Sequence, residues 1–180
     1  MKKNEEYIVT CIDDTDLNSG VVKIDDMVVF VPNLLIGEKA KIKIVKVNKK
    51  YAFGIITQLL KPSINRQELT CEVAKTCGGC QLQHMKYAYQ LDYKYKHVKK
   101  LFEVKSILGM DSPWYYRNKA QFPVKIKDGK VLMGFYRQHS NDVVTCKECK
   151  IQDFTINKIF GFIQKHITIE MAEGLRHIFI

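Results

Sequence analysis

The sequence predicts a β-rich α+β protein with two domains. Residues 7–60 alternate apolar and polar side chains with a period of two and are rich in Ile and Val, a pattern typical of short strands. After a CGGC motif at residues 77–80 the period changes, and helical and strand-like segments follow one another. A chain of 180 residues is long enough for two small cores. We therefore expect a barrel in residues 1–65 and an α+β domain in residues 66–180.

Five short strands are predicted in the first domain. They cover residues 7–12, 20–24, 27–31, 40–47 and 51–59, and the second and third form a hairpin that turns at Asp25 and Asp26. Five such strands favour a closed OB-like barrel. In the fourth strand Ile42 and Ile44 are expected to face the interior. The outer face of that strand is expected to carry Lys41, Lys43 and Lys46.

The second domain is expected to start with a long helix over residues 87–108, which Gly109 ends. Its predicted apolar face consists of Leu91, Val98, Leu101, Phe102 and Leu108.

A second hairpin is predicted after this helix, with strands at 120–126 and 131–137 and a turn at 127–129. Residues 140–144 are expected to continue the sheet. Asp153 is placed to cap a helix over residues 154–166. The apolar side of that helix is predicted to hold Ile156, Ile159, Phe160 and Ile163. Residues 175–180 form the last predicted strand.

The chain is strongly basic, with 29 Lys and Arg against 19 Asp and Glu and a net charge of +10. RNA, DNA or an anionic membrane surface could each satisfy such a charge. Residues 117–137 combine six basic residues with one acid and several aromatic rings, a mixture that favours contact with phosphates and unpaired bases. We predict that Arg117, Lys119 and Arg137 contact RNA phosphates, and that the three lysines of the barrel strand contribute.

Three cysteines, Cys71, Cys77 and Cys80, stand at C-x5-C-x2-C spacing around a pair of glycines. The glycines remove side-chain bulk and allow positive φ, so the backbone can fold tightly round a cofactor and aim amides at its sulfurs. A fourth ligand must come from the remaining cysteines, which are Cys11, Cys146 and Cys149. Four thiolates suit either zinc or an iron-sulfur cluster. Structural zinc usually takes two C-x2-C pairs, so the spacing favours a [4Fe-4S] cluster.

The N-terminus shows no signal-peptide pattern, and no segment approaches the roughly 20 apolar residues of a membrane span. We therefore expect a cytoplasmic protein without a membrane partner. In that reducing compartment six cysteines favour metal binding over disulfides. A monomer is expected.

Taken in order, these parts resemble the iron-sulfur, TRAM-domain branch of the RNA uracil-5-methyltransferase family. The resemblance covers nearly the whole chain. The segments that carry it are VFVPNLLIGEKA and YAFG in the barrel, then CGGCQLQH, YRNKAQFPV, GFYRQHS, the C-x-I-Q of residues 149–152, and GLRHI. The resemblance implies a TRAM barrel that binds RNA, with ribosomal RNA as partner. It also implies a [4Fe-4S] cluster held by Cys71, Cys77, Cys80 and Cys149.

The family transfers a methyl group from S-adenosylmethionine (SAM) to C5 of a uracil, with a cysteine that adds to C6. The resemblance places these parts in a C-terminal Rossmann-like domain, which is absent from this sequence. In agreement, the ten glycines form no Gly-rich strand-turn-helix loop for a nucleotide cofactor. We thus expect the RNA-recognition and cluster-binding part of a 23S rRNA methyltransferase, inactive by itself. The alternatives are a stand-alone RNA-binding module with a structural metal site and a redox iron-sulfur protein.

Overall fold

The chain folds into two compact units that are not contiguous in sequence. The computed structural model describes residues 1–180. The first unit contains Met1–Glu68 and Gln81–Ile107, and the second contains Leu69–Cys80 and Leu108–Ile180. This division differs from the predicted boundary near residue 65, because the segment after the CGGC motif returns to the first unit. None of the helices is long and apolar enough to span a lipid bilayer.

The first unit is built on one curled sheet of six strands. The strands are β1 (Glu6–Thr10), β2 (Asp13–Asp14), β3 (Ser19–Ile24), β4 (Met27–Pro32), β5 (Lys39–Val47) and β6 (Tyr51–Lys61). Their order is β1-β5-β6-β4-β3-β2, and only β4 and β6 pair in parallel. β1 and β2 lie at opposite edges of this sheet, although only Cys11 and Ile12 separate them along the chain. The amide of Ile12 donates to the carbonyl of Val21 at 2.9 Å. One bent strand therefore pairs at both edges and curls the sheet into a barrel.

Aliphatic side chains from alternating strand positions fill the barrel. Both Ile42 and Ile44 are fully buried, as predicted. The core also contains Val9, Val22, Val29, Val31, Leu34, Ala40 and Ala52. Beside the bend, Gly20 has no room for a side chain, because an added Cβ would lie 2.7 Å from Cys11 Sγ.

A buried ion pair ties the barrel to the segment that follows it. Glu38 is fully buried, and both of its carboxylate oxygens accept hydrogen bonds from Arg66, at 2.5 and 2.6 Å. The backbone amides of Ser63 and Leu35 donate two more hydrogen bonds to the same carboxylate, at 3.0 and 2.9 Å. Burial alone would raise the pKa of Glu38, but these hydrogen bonds lower it below its ordinary value. The carboxylate is thus held in its charged form.

Helix α1 (Tyr87–Lys99) also belongs to the first unit. It is shorter than the predicted 87–108, and the predicted apolar face is wrong, because Leu101 and Leu108 are 77% and 92% exposed. The face that packs inward is aromatic. Tyr93 is buried and donates a hydrogen bond from its hydroxyl to the carbonyl of Thr15, in a small core with Leu35 and Met85.

The second unit combines two small sheets with two helices. Its strands are β7 (Gln121–Lys127), β8 (Lys130–Met133), β9 (Phe135–Tyr136), β10 (Val143–Val144) and β11 (His177–Phe179). One sheet has the order β11-β7-β8, and β9 pairs with β10. The predicted strand 131–137 is therefore broken. The break falls at Gly134, where an added Cβ would lie 2.8 Å from the carbonyl carbon of Val144.

Helix α2 (Phe154–His166) has the predicted bounds, and the Asp153 side chain accepts a hydrogen bond from the Thr155 amide as its cap. Ile156 and Phe160 are buried, whereas Ile159 is 40% exposed, contrary to the prediction. The ring of Phe160 stacks on that of Phe122 from β7, with centroids 4.3 Å apart. The short helix α3 (Ile169–Ala172) was not predicted.

Candidate functional site

The segment from Cys71 to Cys80 forms a tight turn in the second unit. The amide of Ala74 donates to the carbonyl of Cys71 at 3.1 Å, and the amide of Cys77 donates to the carbonyl of Val73 at 2.8 Å. The turn is fixed to β9 by a hydrogen bond from the Gly78 amide to the Tyr136 carbonyl at 2.9 Å. These bonds shape the backbone between Cys71 and Cys77 and attach it to the sheet.

Of the two glycines in the CGGC motif, Gly78 allows a close approach of two backbone segments. A Cβ on Gly78 would lie 3.3 Å from the Tyr136 carbonyl oxygen, which is tighter than ordinary packing. The amide of Gly79 donates to Cys77 Sγ at 3.3 Å, the kind of amide-to-sulfur contact that the sequence suggested. Neither glycine has a positive φ, so that part of the expectation is wrong.

Cys149 lies on a loop that the Asn157 side chain holds. Asn157 Oδ1 accepts from the amide of Cys149 at 2.8 Å, and Nδ2 donates to the carbonyl of the same residue at 3.0 Å. The same Nδ2 donates to the carbonyls of Gln152 and Asp153 at 2.9 and 3.2 Å. One side chain from the first turn of α2 thus fixes the backbone on both sides of the C-x-I-Q motif. Asn157 carries no sequence signal that marks this role.

The thiols of the second unit lie within electrostatic reach of one another. Burial raises the pKa of Cys80 to about 11, and the neighbouring Cys149, Cys77 and Cys71 raise it further. Burial likewise raises the pKa of Cys77 and of Cys149. Hydrogen bonds from backbone amides partly offset this rise, from Gly79 at Cys77 and from Ile151 and Gln152 at Cys149. These groups would all be easier to ionise with a positive centre between them.

Cys146 is near the same thiols but belongs to the hydrophobic core of the unit, where it is 6% exposed. Burial and then Cys149 raise its pKa to about 12. Cys11 lies in the core of the first unit, at the bend of the barrel. No group of three or more His, Cys, Asp or Glu side chains in the structure is arranged so that it could hold a single metal ion.

Two of the arginines predicted to contact RNA flank the cysteine segments. The positive charge of Arg117 lowers the pKa of Cys80 and Cys149 against the larger effect of burial. Its backbone runs beside the C-x-I-Q loop, with its amide donating to the Ile151 carbonyl at 2.8 Å. Arg137 forms an isolated bridge opposite Cys77. Both side chains are exposed, as is that of Lys119.

A strained tyrosine lies beside the Cys149 loop. Tyr115 has a φ of 56°, a rare value for an aromatic residue. Its amide donates to the Lys150 carbonyl at 2.9 Å, its hydroxyl donates to Glu148 Oε1 at 2.6 Å, and its ring stacks on Phe154 with centroids 4.0 Å apart. Hydrogen bonds to Glu148 and Tyr115 strongly raise the pKa of Lys150. This arrangement was not visible in the sequence.

The three barrel lysines lie on the outer side of β5. Strict alternation would place Lys46 inside, opposite in direction to Lys41 and Lys43. A register irregularity between Ile44 and Lys46 changes this parity, so that Lys46 lies opposite Phe53 on the outer face. Lys41 is ion-paired with Glu6 at 2.6 Å, whereas Lys43 and Lys46 make no ion pair.

Comparison with known proteins shows which family this chain belongs to. Residues 3–57 match the model of the TRAM domain, and these residues form most of the barrel. The chain is 38% identical over 200 residues to an uncharacterized RNA methyltransferase of Clostridium acetobutylicum, an alignment that covers all of this chain and 44% of the relative. It is 43% identical over 175 residues to another from Oceanobacillus iheyensis, covering 92% of this chain and 38% of the relative. The chain belongs to this family of TRAM-containing RNA methyltransferases.

The RNA methyltransferase family and the TRAM domain predicted from the sequence are thereby confirmed, whereas the iron-sulfur cluster stays a prediction. The chain spans less than half the length of the curated relatives it matches. A solved structure also shares the fold. It is the tRNA (uracil-54, C5)-methyltransferase of Pyrococcus abyssi in complex with S-adenosyl-L-homocysteine, with a TM-score of 0.61 and 24% identity. The match covers 95% of this chain and 42% of that one.

Proposed function

We propose that this chain is the RNA-recognition and [4Fe-4S]-binding part of a SAM-dependent 23S rRNA uracil-C5 methyltransferase. Membership in the RNA methyltransferase family and the TRAM domain support the RNA partner. The fold neighbour acts on uracil C5 and binds the demethylated form of SAM, which supports the type of reaction for the whole protein. In that whole protein SAM supplies the methyl group. The 180 residues of this chain supply RNA contacts and the cluster site, in a cytoplasmic monomer.

The observation that carries the cluster proposal is the meeting of two distant segments at one group of thiols. The amide of Lys147 donates to Glu72 Oε1 at 2.7 Å, which holds the two segments together beside these thiols. Cys149 lies 69 residues after Cys80 along the chain. The donor set fits a cluster, because all four donors are thiols and the Gly79 amide donates to Cys77 Sγ at 3.3 Å. We assign the fourth ligand to Cys149 and not to Cys146, which packs into the apolar core.

The spacing of the cysteines along the sequence supports a cluster over zinc. Structural zinc usually takes two C-x2-C pairs, whereas here one such pair is joined by the outlying Cys71 and the distant Cys149. When bound, the cluster would supply cross-linking between the two segments, which closes a long loop and stabilises the unit.

RNA contact is assigned to two basic surfaces, one in each unit. In the second unit Arg117, Lys119 and Arg137 are exposed and available to phosphates. In the first unit Lys43 and Lys46 are not ion-paired, so they can neutralise phosphates more readily than Lys41, which must first leave Glu6.

Purification without oxygen, followed by iron and sulfide assay, tests the metal. We expect about four iron and four sulfide per chain, with broad visible absorbance. A result of about one zinc and no sulfide would show a zinc site in place of the cluster. Cys149→Ser should remove the absorbance, and Cys146→Ser, the matched control three residues away, should retain it. The reverse result would show that the fourth ligand is misassigned.

Methyl transfer is tested with labelled SAM and unmodified RNA. We expect no label in either ribosomal RNA or tRNA with this chain alone. With a full-length homologue, label in the ribosomal fragment and not in tRNA would support the ribosomal substrate, and label only in tRNA would contradict it. Binding of neither RNA by the chain would contradict the proposed role in recognition.

A further inference from the structure

The outer face of the barrel carries three aromatic rings in mutual contact. They are Phe30 on β4 and Tyr51 and Phe53 on β6. Their ring centroids lie 5.5 to 5.9 Å apart, and Tyr51 meets both phenylalanines edge to face. We refer to these three residues as the aromatic face.

The position of these rings follows from strand alternation. Val29 and Ala52, their neighbours along the two strands, are fully buried in the barrel, so the rings point away from it. Phe30 lies directly opposite Phe53 in the parallel pairing of β4 and β6. Tyr51 is 40% exposed and the two phenylalanines are half-buried, so a flat ligand can reach the rings. Cross-strand aromatic contacts do stabilise sheets, but that role does not require exposed rings.

Positive charge lies next to the aromatic face. Lys46 is opposite Phe53 on β5, because of the register irregularity in that strand, and Lys43 is opposite the exposed Ile55. Lys49 and Lys50 directly precede Tyr51. The nearby acids are Asp25 and Asp26 in the turn before β4 and Glu6 on β1, of which Asp26 and Glu6 are already paired with Lys23 and Lys41. The local balance is therefore positive.

We infer that the aromatic face stacks unpaired bases of single-stranded RNA while Lys43 and Lys46 contact the adjoining phosphates. This rests on the proposed RNA-recognition function and names the form of RNA that the barrel takes. Exposed aromatic rings beside a basic track are the arrangement with which OB-like barrels bind single strands, since every base offers a π-face and every nucleotide a charge. A duplex hides its base faces and offers only phosphates to such a surface.

The experiment measures binding of the whole chain to a labelled oligouridylate of about 12 nucleotides, near the upper part of the range for one such barrel. Parallel arms use a duplex of the same length and an oligonucleotide with abasic positions. We expect wild type to prefer the single strand to the duplex, although the duplex has the higher charge density. Abasic positions should weaken binding roughly 5- to 150-fold per stacked base.

Tyr51→Leu should weaken binding to the intact single strand in that same range and leave binding to the abasic strand unchanged. The salt dependence of RNA binding by Tyr51→Leu should keep the wild-type slope, because that variant loses no phosphate contact. Lys46→Ala should lower the slope by about one unit or slightly less. Tyr51→Phe keeps the ring and should bind like wild type. Phe162→Ala removes an exposed ring from α2 in the other unit and serves as the matched control.

The outcomes separate this inference from the proposed function. If wild type binds the single strand with steep salt dependence but abasic positions and Tyr51→Leu have no effect, the stacking role is wrong and RNA recognition stands. If wild type binds neither single strand nor duplex, both are wrong. The abasic comparison uses wild type alone, so it tests base stacking even if a variant folds poorly, and the pair of Tyr51→Leu and Tyr51→Phe locates that stacking on the aromatic face.

Discussion

Asn157→Ala is expected to release the Cys149 loop and with it the fourth ligand of the proposed cluster. The side chain makes four hydrogen bonds to the backbone of residues 149–153. A net contribution of about 0.5–1.5 kcal/mol for each gives a loss of roughly 2–4 kcal/mol once some of the freed groups are hydrated. That is a large fraction of the 5–15 kcal/mol typical of a domain.

Urea unfolding measures this loss. The only tryptophan, Trp114, lies in the second unit and reports on that unit alone. With a slope of about 2 kcal/mol per molar urea, in the middle of the usual range, the midpoint should fall by about 1–2 M. Asn157→Asp keeps the acceptor for the Cys149 amide but loses the three donated bonds and adds a negative charge near thiolates, so it should also lose iron. Asn141→Ala, an exposed position in the same unit, should change the free energy of unfolding by no more than about 0.5 kcal/mol.

If Asn157→Ala keeps both the wild-type urea midpoint and the full iron content, Asn157 does not hold the Cys149 loop. A lowered midpoint with full iron would mean that the loop is held by the cluster and that Asn157 only adds stability.

Four further outcomes are expected. Removal of the cluster with chelator should expose the amides of the second unit to hydrogen exchange and spare the barrel; retained protection in the second unit would contradict a structural role. Glu38→Gln should cost the barrel about 3–5 kcal/mol by leaving Arg66 unpaired, against no more than about 1 kcal/mol for Glu6→Gln at the exposed pair. Because the folded-state pKa of Glu38 lies below its ordinary value of 4.5, its contribution is fully present above that pH and is lost as the pH falls through the folded pKa; a wild-type barrel whose stability is flat from pH 7 to pH 3 would contradict this. Arg117→Ala combined with Lys119→Ala should lower the salt slope of RNA binding by about one to two units, and an unchanged slope would remove these residues from the interface.

Local signals predicted the elements whose limits are set locally. The helix over 154–166 was predicted with the right bounds because the Asp153 cap and the spacing of Ile156 and Phe160 act within a few residues. The hairpin turn at Asp128 and Gly129 was predicted for the same reason, and both residues have the positive φ that such a turn needs.

Features that depend on distant contacts were predicted less well. Helix α1 packs with Tyr93 against Leu35 and Met85, and it ends at Lys99. Most of the predicted apolar face, namely Leu101, Phe102 and Leu108, therefore lies beyond the helix. Lys46 is exposed on the outer face, as predicted, but it reaches that face through a register irregularity between two strands that no residue in β5 signals. The role of Asn157 arises only when α2 meets the loop at residue 149.

The discontinuous course of the chain affects how the protein can be divided. A proteolytic cut or a truncation near residue 65 looks harmless in the sequence, since Pro62 and Ser63 interrupt the strand pattern there. In the structure such a fragment would lack α1, and Leu35 would lose Tyr93 and Met85 as packing partners. It would also lack Arg66, so that the carboxylate of Glu38 would be left inside the barrel without its cation. A usable barrel fragment must therefore extend to about residue 107. Such a fragment contains Cys71, Cys77 and Cys80 but lacks Cys149, so that these three thiols are open to oxidation and to binding of unintended metal ions.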